Sequence, residues 1–170
     1  MPVASLKFDI QMPTILIIQL LDQRADDVSQ LIHHLHMAAY TQEAHLIGID
    51  EFPPLRVTVD EIQSSPYQFY GALDNDKLIG AVAIESNSPS EFTIVSLIVD
   101  PSHQRKGVGR RLLDHVINLL DGADLTVETA VRNHPAISLY KTAGFIESGR
   151  RTTEREGCEL ITFKLHNARA

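Results

Sequence analysis

Hydrophobic positions change their spacing along the chain, and the sharpest change lies near its middle. Residues Ile94–Val99 are almost all apolar or β-branched, which predicts a buried strand. The Asp-Pro-Ser sequence at 100–102 ends this strand, because proline has no amide donor and restricts the residue before it. Apolar residues then recur every four positions, at Val108, Leu112, Val116 and Leu120. This spacing predicts an amphipathic helix that ends near Gly122.

A cationic turn with two glycines joins the strand to the helix and reads QRKGVG, from Gln104 to Gly109. The first N–H groups of a helix have no partner within the helix, and the helix dipole places partial positive charge beside them. Glycine also lets a ligand approach the backbone closely. We therefore expect this turn to bind an anion, most plausibly a phosphate.

Three interpretations compete for this turn. A dinucleotide fingerprint G-x-G-x-x-G fails because residue 112 is leucine, and the Walker pattern G-x-x-x-x-G-K-[ST] is absent. A plain strand-to-helix turn with solvated cations is the second interpretation. Third, the pattern Gln-x-x-Gly-x-Gly after a strand and Asp-Pro resembles the acyl-CoA pyrophosphate loop of the GNAT N-acetyltransferase superfamily.

A second motif downstream favours this resemblance. Residues Asn133–Phe145 read NHPAISLYKTAGF, which predicts a short helix with Pro135 at its start and Gly144 just past its end. The same stretch is similar to the GNAT signature Asn-x-x-Ala-x-x-x-Tyr-x-x-x-Gly-Phe. Two motifs in the family's order make coincidence a weak explanation.

The remaining pattern predicts one domain of class α/β (α+β). Strands are expected at 14–21, 67–73, 78–86, 91–99, 124–131, from 145 and at 159–165, and helices at 27–40, 58–64, from 108 and from 135. The second to fourth strands are antiparallel neighbours, whereas the helical crossover makes the fourth and fifth parallel, so the sheet is mixed. This order resembles the GNAT fold, a sheet of about seven strands flanked by about four helices. We expect a leader at 1–13 and a single GNAT domain at 14–166.

Composition narrows the class of partner. The 170 residues carry a net charge of −7, which argues against nucleic acid or an anionic membrane. The apolar run at 14–21 is far shorter than the ~20 residues that span a bilayer, and its flanks do not suggest a signal peptide. A single cysteine, Cys158, fits a reducing, cytoplasmic location. Its acidic neighbours argue against a nucleophilic role.

The resemblance implies acetyl-CoA as cosubstrate, lying in the splay between strands four and five. Backbone groups of residues 97–99 would pair with the pantetheine arm, and Asn133 would also reach the pantetheine. The backbone amides and arginine side chains of the glycine turn would hold the pyrophosphate. The implied cofactor-binding residues are Leu97, Ile98, Val99, Gln104, Arg105, Lys106, Gly107, Val108, Gly109, Arg110 and Asn133.

The resemblance also implies catalytic roles. Tyr140 matches the tyrosine that faces the CoA sulfur, and a phenol with a pKa of about 10 can act as a general acid. A backbone N–H near Ile98 or Val99 would hold the oxyanion. Glu128, in the fifth strand beside the splay, is the candidate base. A solvated or structural role for Glu128 stays open, Glu85 and Glu91 compete with it, and some family members lack a dedicated base.

The region between the first helix and the second strand would border the acceptor site. Its candidates for substrate contact are Tyr40, Glu43, His45 and Phe52. Packing of Phe52 and Leu55 onto the core is an equal alternative. Histidines 33, 34 and 36 lack the i, i+4 spacing of helical zinc ligands, so we expect no metal.

These residues together predict an acyl-CoA-dependent N-acetyltransferase. It would move an acetyl group to a primary amine of a small molecule, peptide or protein, directly within a ternary complex. The alternatives are a non-catalytic acyl-CoA-binding regulatory module and a nucleotide-binding α/β domain. Family members often dimerise, so a homodimer is possible. The acceptor itself is not identified by the sequence.

Overall fold

A computed structural model describes residues 15–154 and 157–166. The leader expected at 1–13 lies outside these residues. Within them, no helix is both long and apolar enough to cross a membrane.

Within the described ranges, seven strands form one mixed sheet, as the sequence predicts. They are β1 (Leu16–Leu21), β2 (Gln68–Asp74), β3 (Lys77–Ser88), β4 (Glu91–Val99), β5 (Asp124–Ala130), β6 (Ile146–Thr152) and β7 (Glu159–His166). Their order across the sheet is β1-β2-β3-β4-β5-β7-β6. Of these neighbouring pairs, β4 and β5 are parallel, because the helical crossover lies between them, and the others are antiparallel.

Four α-helices of the described chain accompany the sheet, again as predicted. They are α1 (Asp26–Ile47), α2 (Val59–Ser64), α3 (Val108–Leu119) and α4 (His134–Thr142). Thr58 caps α2, and the Glu61 carboxylate accepts a hydrogen bond from the Thr58 N–H in return. The segment around Pro53 and Pro54 forms one turn of 3-10 helix, Pro53–Arg56, where the sequence predicts no helix.

The predicted end of the first helix near Tyr40 is wrong. The helix α1 continues for seven more residues, because Ala44 and Ile47 extend its buried stripe. Gly48 then ends it in the left-handed conformation, with φ +75°, and its N–H donates to the Ala44 carbonyl. This extra length includes Glu43. At the other end, Ala25 occupies the N-cap position and Asp26 is the first residue of the helix.

The sheet is covered on both faces, and β3 shows how the sequence produces this. Ala81 and Ala83 face α1, whereas Val82 and Ile84 face the opposite layer, in the two-residue alternation of a strand. The helix α3 supplies that opposite layer. Three of its side chains, Leu112, Leu113 and Val116, have no accessible surface.

The pairing of β4 with β5 stops halfway along both strands. Ile94 opposite Val127 is the last pair, although β4 continues to Val99 and β5 to Ala130. A register shift in the β3–β4 pairing skips Val95, which marks a bulge at the point of separation. Because a bulge bends its strand and adds twist, it directs the remainder of β4 away from β5. A cleft opens where the sequence analysis expects the splay.

The packing of α3 predicts unequal effects of truncating two of its leucines. Leu112→Ala should lower the free energy of unfolding by about 2–5 kcal/mol, because it leaves a cavity under the helix. Leu119→Ala should change it by less than about 1 kcal/mol, because Leu119 is half exposed on the same helix. Urea unfolding of both variants is the measurement. Equal losses would contradict the assignment of α3 as the core layer.

Candidate active site

Two cavities open into the cleft between β4 and β5 and share a common wall. The cofactor cavity lies on the side of α3 and has a volume of about 520 Å³. The acceptor cavity lies on the side of the 3-10 turn and has a volume of about 280 Å³. Five residues line both cavities, namely Glu43, Leu97, Asn133, Ala136 and Tyr140. A ligand in one cavity would therefore reach a ligand in the other at this wall.

The N-terminus of α3 forms one end of the cofactor cavity. Gly107 precedes the helix with φ +82°, a left-handed conformation that glycine adopts without strain. The first amides of the helix have no acceptor within it, and Val108 and Gly109 line the cavity. These features suit an anionic group at this end.

Most of the cofactor-binding residues implied by the resemblance line this cavity. Those that do so are Leu97, Ile98, Val99, Gln104, Arg105, Gly107, Val108, Gly109, Arg110 and Asn133. Lys106 is exposed and lies outside the lining. Arg110 already has partners: its Nε donates to Asp114 at 2.8 Å, and its guanidinium also donates to the Thr142 carbonyl at 3.2 Å.

A hydrogen bond ties the glycine turn to α1. The side-chain amide of Gln104 donates to the Gln42 side-chain oxygen at 2.5 Å and more weakly to the Val99 carbonyl at 3.4 Å. Gln42 lines the cofactor cavity beside Glu43. The sequence analysis did not identify Gln42, because its helix was expected to end at residue 40. His103 also lines the cavity, and its Nδ1 contacts Asp100 at 3.4 Å.

Aromatic rings form one wall of the acceptor cavity. The ring of Tyr40 contacts that of Phe52, with centroids 5.8 Å apart, and the ring of His36, with centroids 4.4 Å apart. Pro53 and Pro54 continue this wall. Tyr40, Glu43 and Phe52, which the sequence analysis names as candidates for substrate contact, all line this cavity. His45 is exposed on α1 and lines neither cavity.

Two histidines fix the 3-10 turn against α1. The His36 Nε2 lies 2.7 Å from the Pro54 carbonyl oxygen, and the His33 Nε2 lies 3.0 Å from that of Val57. Burial lowers the pKa of His36, so its ring tends to be neutral. These histidines hold the wall of the acceptor cavity, while His34 is exposed.

Glu128 lines the acceptor cavity, and its carboxylate is held in place. Arg151 of β6 donates two hydrogen bonds to it, one from Nε at 2.9 Å, and the Thr162 hydroxyl donates a third at 3.3 Å. Glu128 alternates with buried Val127 along β5, as the sequence predicts. Arg151 was not identified from sequence, since the pairing of β5 with β7 and of β7 with β6 brings it near.

Glu43 has a different environment from Glu128. Burial raises the pKa of its carboxyl group, and a hydrogen bond from the Asn133 side chain opposes part of that rise. Asn133 is also the N-cap of α4, where its Oδ1 accepts from the Ala136 N–H at 3.2 Å. One side chain therefore caps the start of α4 and also lowers the cost of charge on the Glu43 carboxylate.

Tyr140 lies at the common wall and is almost fully buried. Its ring packs against Phe145 and Phe163, with centroids 5.8 and 6.1 Å away. Burial raises the pKa of its phenol, and the negative charge of Glu43 raises it further. The same two causes raise the pKa of Tyr40. Tyr140 is therefore protonated at neutral pH and has a proton to donate.

Cys158 lines the acceptor cavity, a position that the sequence analysis did not assign to it. Its backbone N–H donates to the Thr153 hydroxyl at 3.0 Å, which places both residues in the wall opposite Tyr40 and Phe52. No periodicity of the sequence predicts this position, because the cavity wall combines residues from distant parts of the chain.

Comparison with known proteins gives the same family as the motifs. The family model described as Acetyltransferase (GNAT) family matches residues 30–145. The UPF0157 protein YqkA of Bacillus subtilis is 37% identical over 153 residues, which cover 89% of this chain and 44% of YqkA. The chain thus spans less than half of that relative.

Two further relatives are matched over most of their length. The N-alpha-acetyltransferase RimI of Mycobacterium tuberculosis is 32% identical over 129 residues, covering 72% of this chain and 80% of RimI. The crystal structure of the ribosomal-protein-S18-alanine N-acetyltransferase from Escherichia coli has a TM-score of 0.72 at 25% identity, over 92% of this chain and 96% of that one. The chain therefore belongs to the GNAT family of acetyltransferases.

Proposed function

We propose that the chain, as one catalytic domain over residues 14–166, transfers an acetyl group from acetyl-CoA to the α-amine of a peptide or protein. The observation that carries this proposal is the meeting of the two cavities at Tyr140. A thioester in the larger cavity and an amine in the smaller one would react there without a covalent enzyme intermediate.

Acetyl-CoA fits the cofactor cavity by its chemistry. The cationic turn and the amides of α3 suit its pyrophosphate, with Arg105 lining the cavity beside them. Beyond Ile94, no described strand pairs with the β5-facing edge of β4. The backbone of Leu97–Val99 would therefore pair with the pantetheine arm as an added strand does.

Transfer requires a neutral amine, an oxyanion donor and a protonated leaving group. The amine nitrogen attacks the thioester carbon, and the C–S bond breaks as the C–N bond forms. A backbone N–H of Ile98 or Val99 would hold the oxyanion, and Tyr140 would give its proton to the thiolate. Glu128, the base that the sequence predicts, lines the acceptor cavity together with a second carboxylate, Glu43.

An α-amine acceptor is favoured by two observations. Two of the relatives are named as acetyltransferases of N-terminal amines, one of them of alanine on a ribosomal protein. The acceptor cavity, about 280 Å³ with aromatic and proline walls, has room for a small terminal residue. A carboxylate in that wall, Glu43, suits its positive charge.

Acetyl-CoA binding and thiol release test this function together. In calorimetry, acetyl-CoA should bind saturably, whereas ATP and NAD should not. Free CoA should then appear with peptides that have a free N-terminus, and not with the same peptides N-acetylated beforehand. Binding without release for any amine would favour a regulatory acyl-CoA-binding module, and absence of acetyl-CoA binding would contradict the proposal.

Removal of the Tyr140 hydroxyl should slow the reaction without weakening the cofactor complex. Tyr140→Phe should lower kcat by about 10²–10⁴-fold, because the thiolate would leave unprotonated. Acetyl-CoA affinity should be unchanged, because the ring and its packing remain. Thiol release and calorimetry measure the two quantities.

Tyr67→Phe is the matched control, since Tyr67 packs outside both cavities. Its activity should equal that of the wild type. Unchanged turnover in Tyr140→Phe would remove Tyr140 from the chemistry.

A further inference from the structure

We infer that Glu43, rather than Glu128, takes the proton from the acceptor ammonium. This inference rests on the proposed function and assigns the role of base to a different carboxylate from the one that the sequence predicts. Glu43 belongs to the C-terminal part of α1, outside both motifs that indicate the family.

Position is the first argument. Glu43 lines the cofactor cavity and the acceptor cavity, as does Tyr140, whereas Glu128 lines the acceptor cavity alone. An amine that attacks the thioester must lie at the common wall. Of these two carboxylates, Glu43 is the one that belongs to the common wall.

The second argument concerns the hydrogen-bond and ion-pair partners of each carboxylate. Glu128 accepts two hydrogen bonds from Arg151 and one from Thr162, so a cation already neutralises it. Among residues 15–154 and 157–166, Glu43 forms no ion pair, and its hydrogen-bond donor is the neutral amide of Asn133. An acceptor ammonium would supply the missing countercharge, after which the carboxylate can take its proton.

The third argument is basicity. Burial raises the pKa of Glu43, which makes its carboxylate a stronger proton acceptor at neutral pH. A hydrogen bond from Asn133 stabilises the charged form and opposes part of this rise in pKa. Glu43 also raises the pKa of Tyr140 and so keeps the proposed acid protonated.

The proton balance of the step closes with these two residues. The ammonium gives one proton to Glu43, and the neutral amine attacks the thioester carbon. The C–S bond then breaks, the thiolate takes the Tyr140 proton, and the second proton of the attacking nitrogen returns to the phenolate. Glu43 releases its proton to solvent, so the products are amide, CoA thiol and one proton.

Other ionisable groups face the two cavities with Glu43 and must be considered in any pH profile. They are Tyr40 of α1, Tyr140 of α4, Arg110 of α3, His103 and Arg105 of the turn, Glu128 of β5 with its partner Arg151, and Cys158.

Kinetics of Glu43→Gln as a function of pH test the role. A peptide α-amine with a pKa of about 8 is neutral in only a tenth or so of molecules at pH 7. Without the base, kcat/KM at pH 7 should fall about tenfold, and the deficit should vanish at high pH, where solution supplies neutral amine. Glu128→Gln and Glu85→Gln should show no such pH-dependent deficit, and Glu85 lines neither cavity.

The outcomes separate the two proposals. A deficit in Glu43→Gln that is the same at every pH would indicate a structural role and overturn the inference, as would wild-type activity. A pH-dependent deficit in Glu128→Gln instead would assign the base there. A wild-type chain that releases no thiol from any peptide would overturn the proposed function, and the base assignment with it.

Thermal melting gives a readout that needs no acceptor. The folded-state pKa of Glu43 lies above its unfolded value of about 4.3, so the folded state binds the proton more tightly than the unfolded state. The free energy of unfolding of the wild type therefore falls as pH rises from the unfolded pKa to the folded pKa. The Glu43→Gln variant does not lose stability in this way, because its side-chain amide does not titrate. The Tm of this variant minus that of the wild type should therefore increase from pH 4 to pH 8, whereas a constant difference would contradict the buried, unpaired carboxylate.

Discussion

The incomplete pairing of β4 with β5 is the constraint on which the site depends. Two parallel strands that pair fully leave no polar backbone for a ligand, whereas these strands separate after Ile94 and Val127. The bulge at Val95 directs β4 outward, and β7 keeps β5 in the sheet as far as Ala130. Buried backbone groups need partners, so a cleft of this kind is suited to a ligand that pairs like a strand.

Two helix N-termini lie around this cleft, and its two ends differ in charge. Gly107 begins α3 in a left-handed conformation and leaves its first amides directed at the cofactor cavity, while Asn133 begins α4 beside Glu43. Positive partial charge at the start of α3 suits the anionic end of acetyl-CoA. The acidic side chains lie at the other end, in the acceptor cavity, where a positively charged amine would enter. The net charge of −7 therefore does not describe the site, where positive and negative groups lie at opposite ends of the cleft.

The two carboxylates of the acceptor cavity show why residue type alone does not decide a catalytic role. Glu128 is on an exposed strand position and is bound by Arg151, whereas Glu43 is half-buried beside a neutral amide. Desolvation and pairing have opposite effects on the basicity of a carboxylate. The difference between Glu43 and Glu128 arises from their neighbours, which come from distant parts of the chain.

The sequence by itself determined the order of the strands and helices along the chain, the mixed sheet and both cofactor motifs, because these depend on local periodicity and on glycine and proline at fixed spacing. It also placed Tyr140 and Glu128 on the correct elements. It did not determine the length of α1, since Ala44 and Ile47 are weak signals until the sheet buries them. Only the tertiary structure decided that Arg151 neutralises Glu128 and that Asn133 meets Glu43. The physical reason is that ion pairing and desolvation depend on distances between residues far apart in sequence, which no local pattern records.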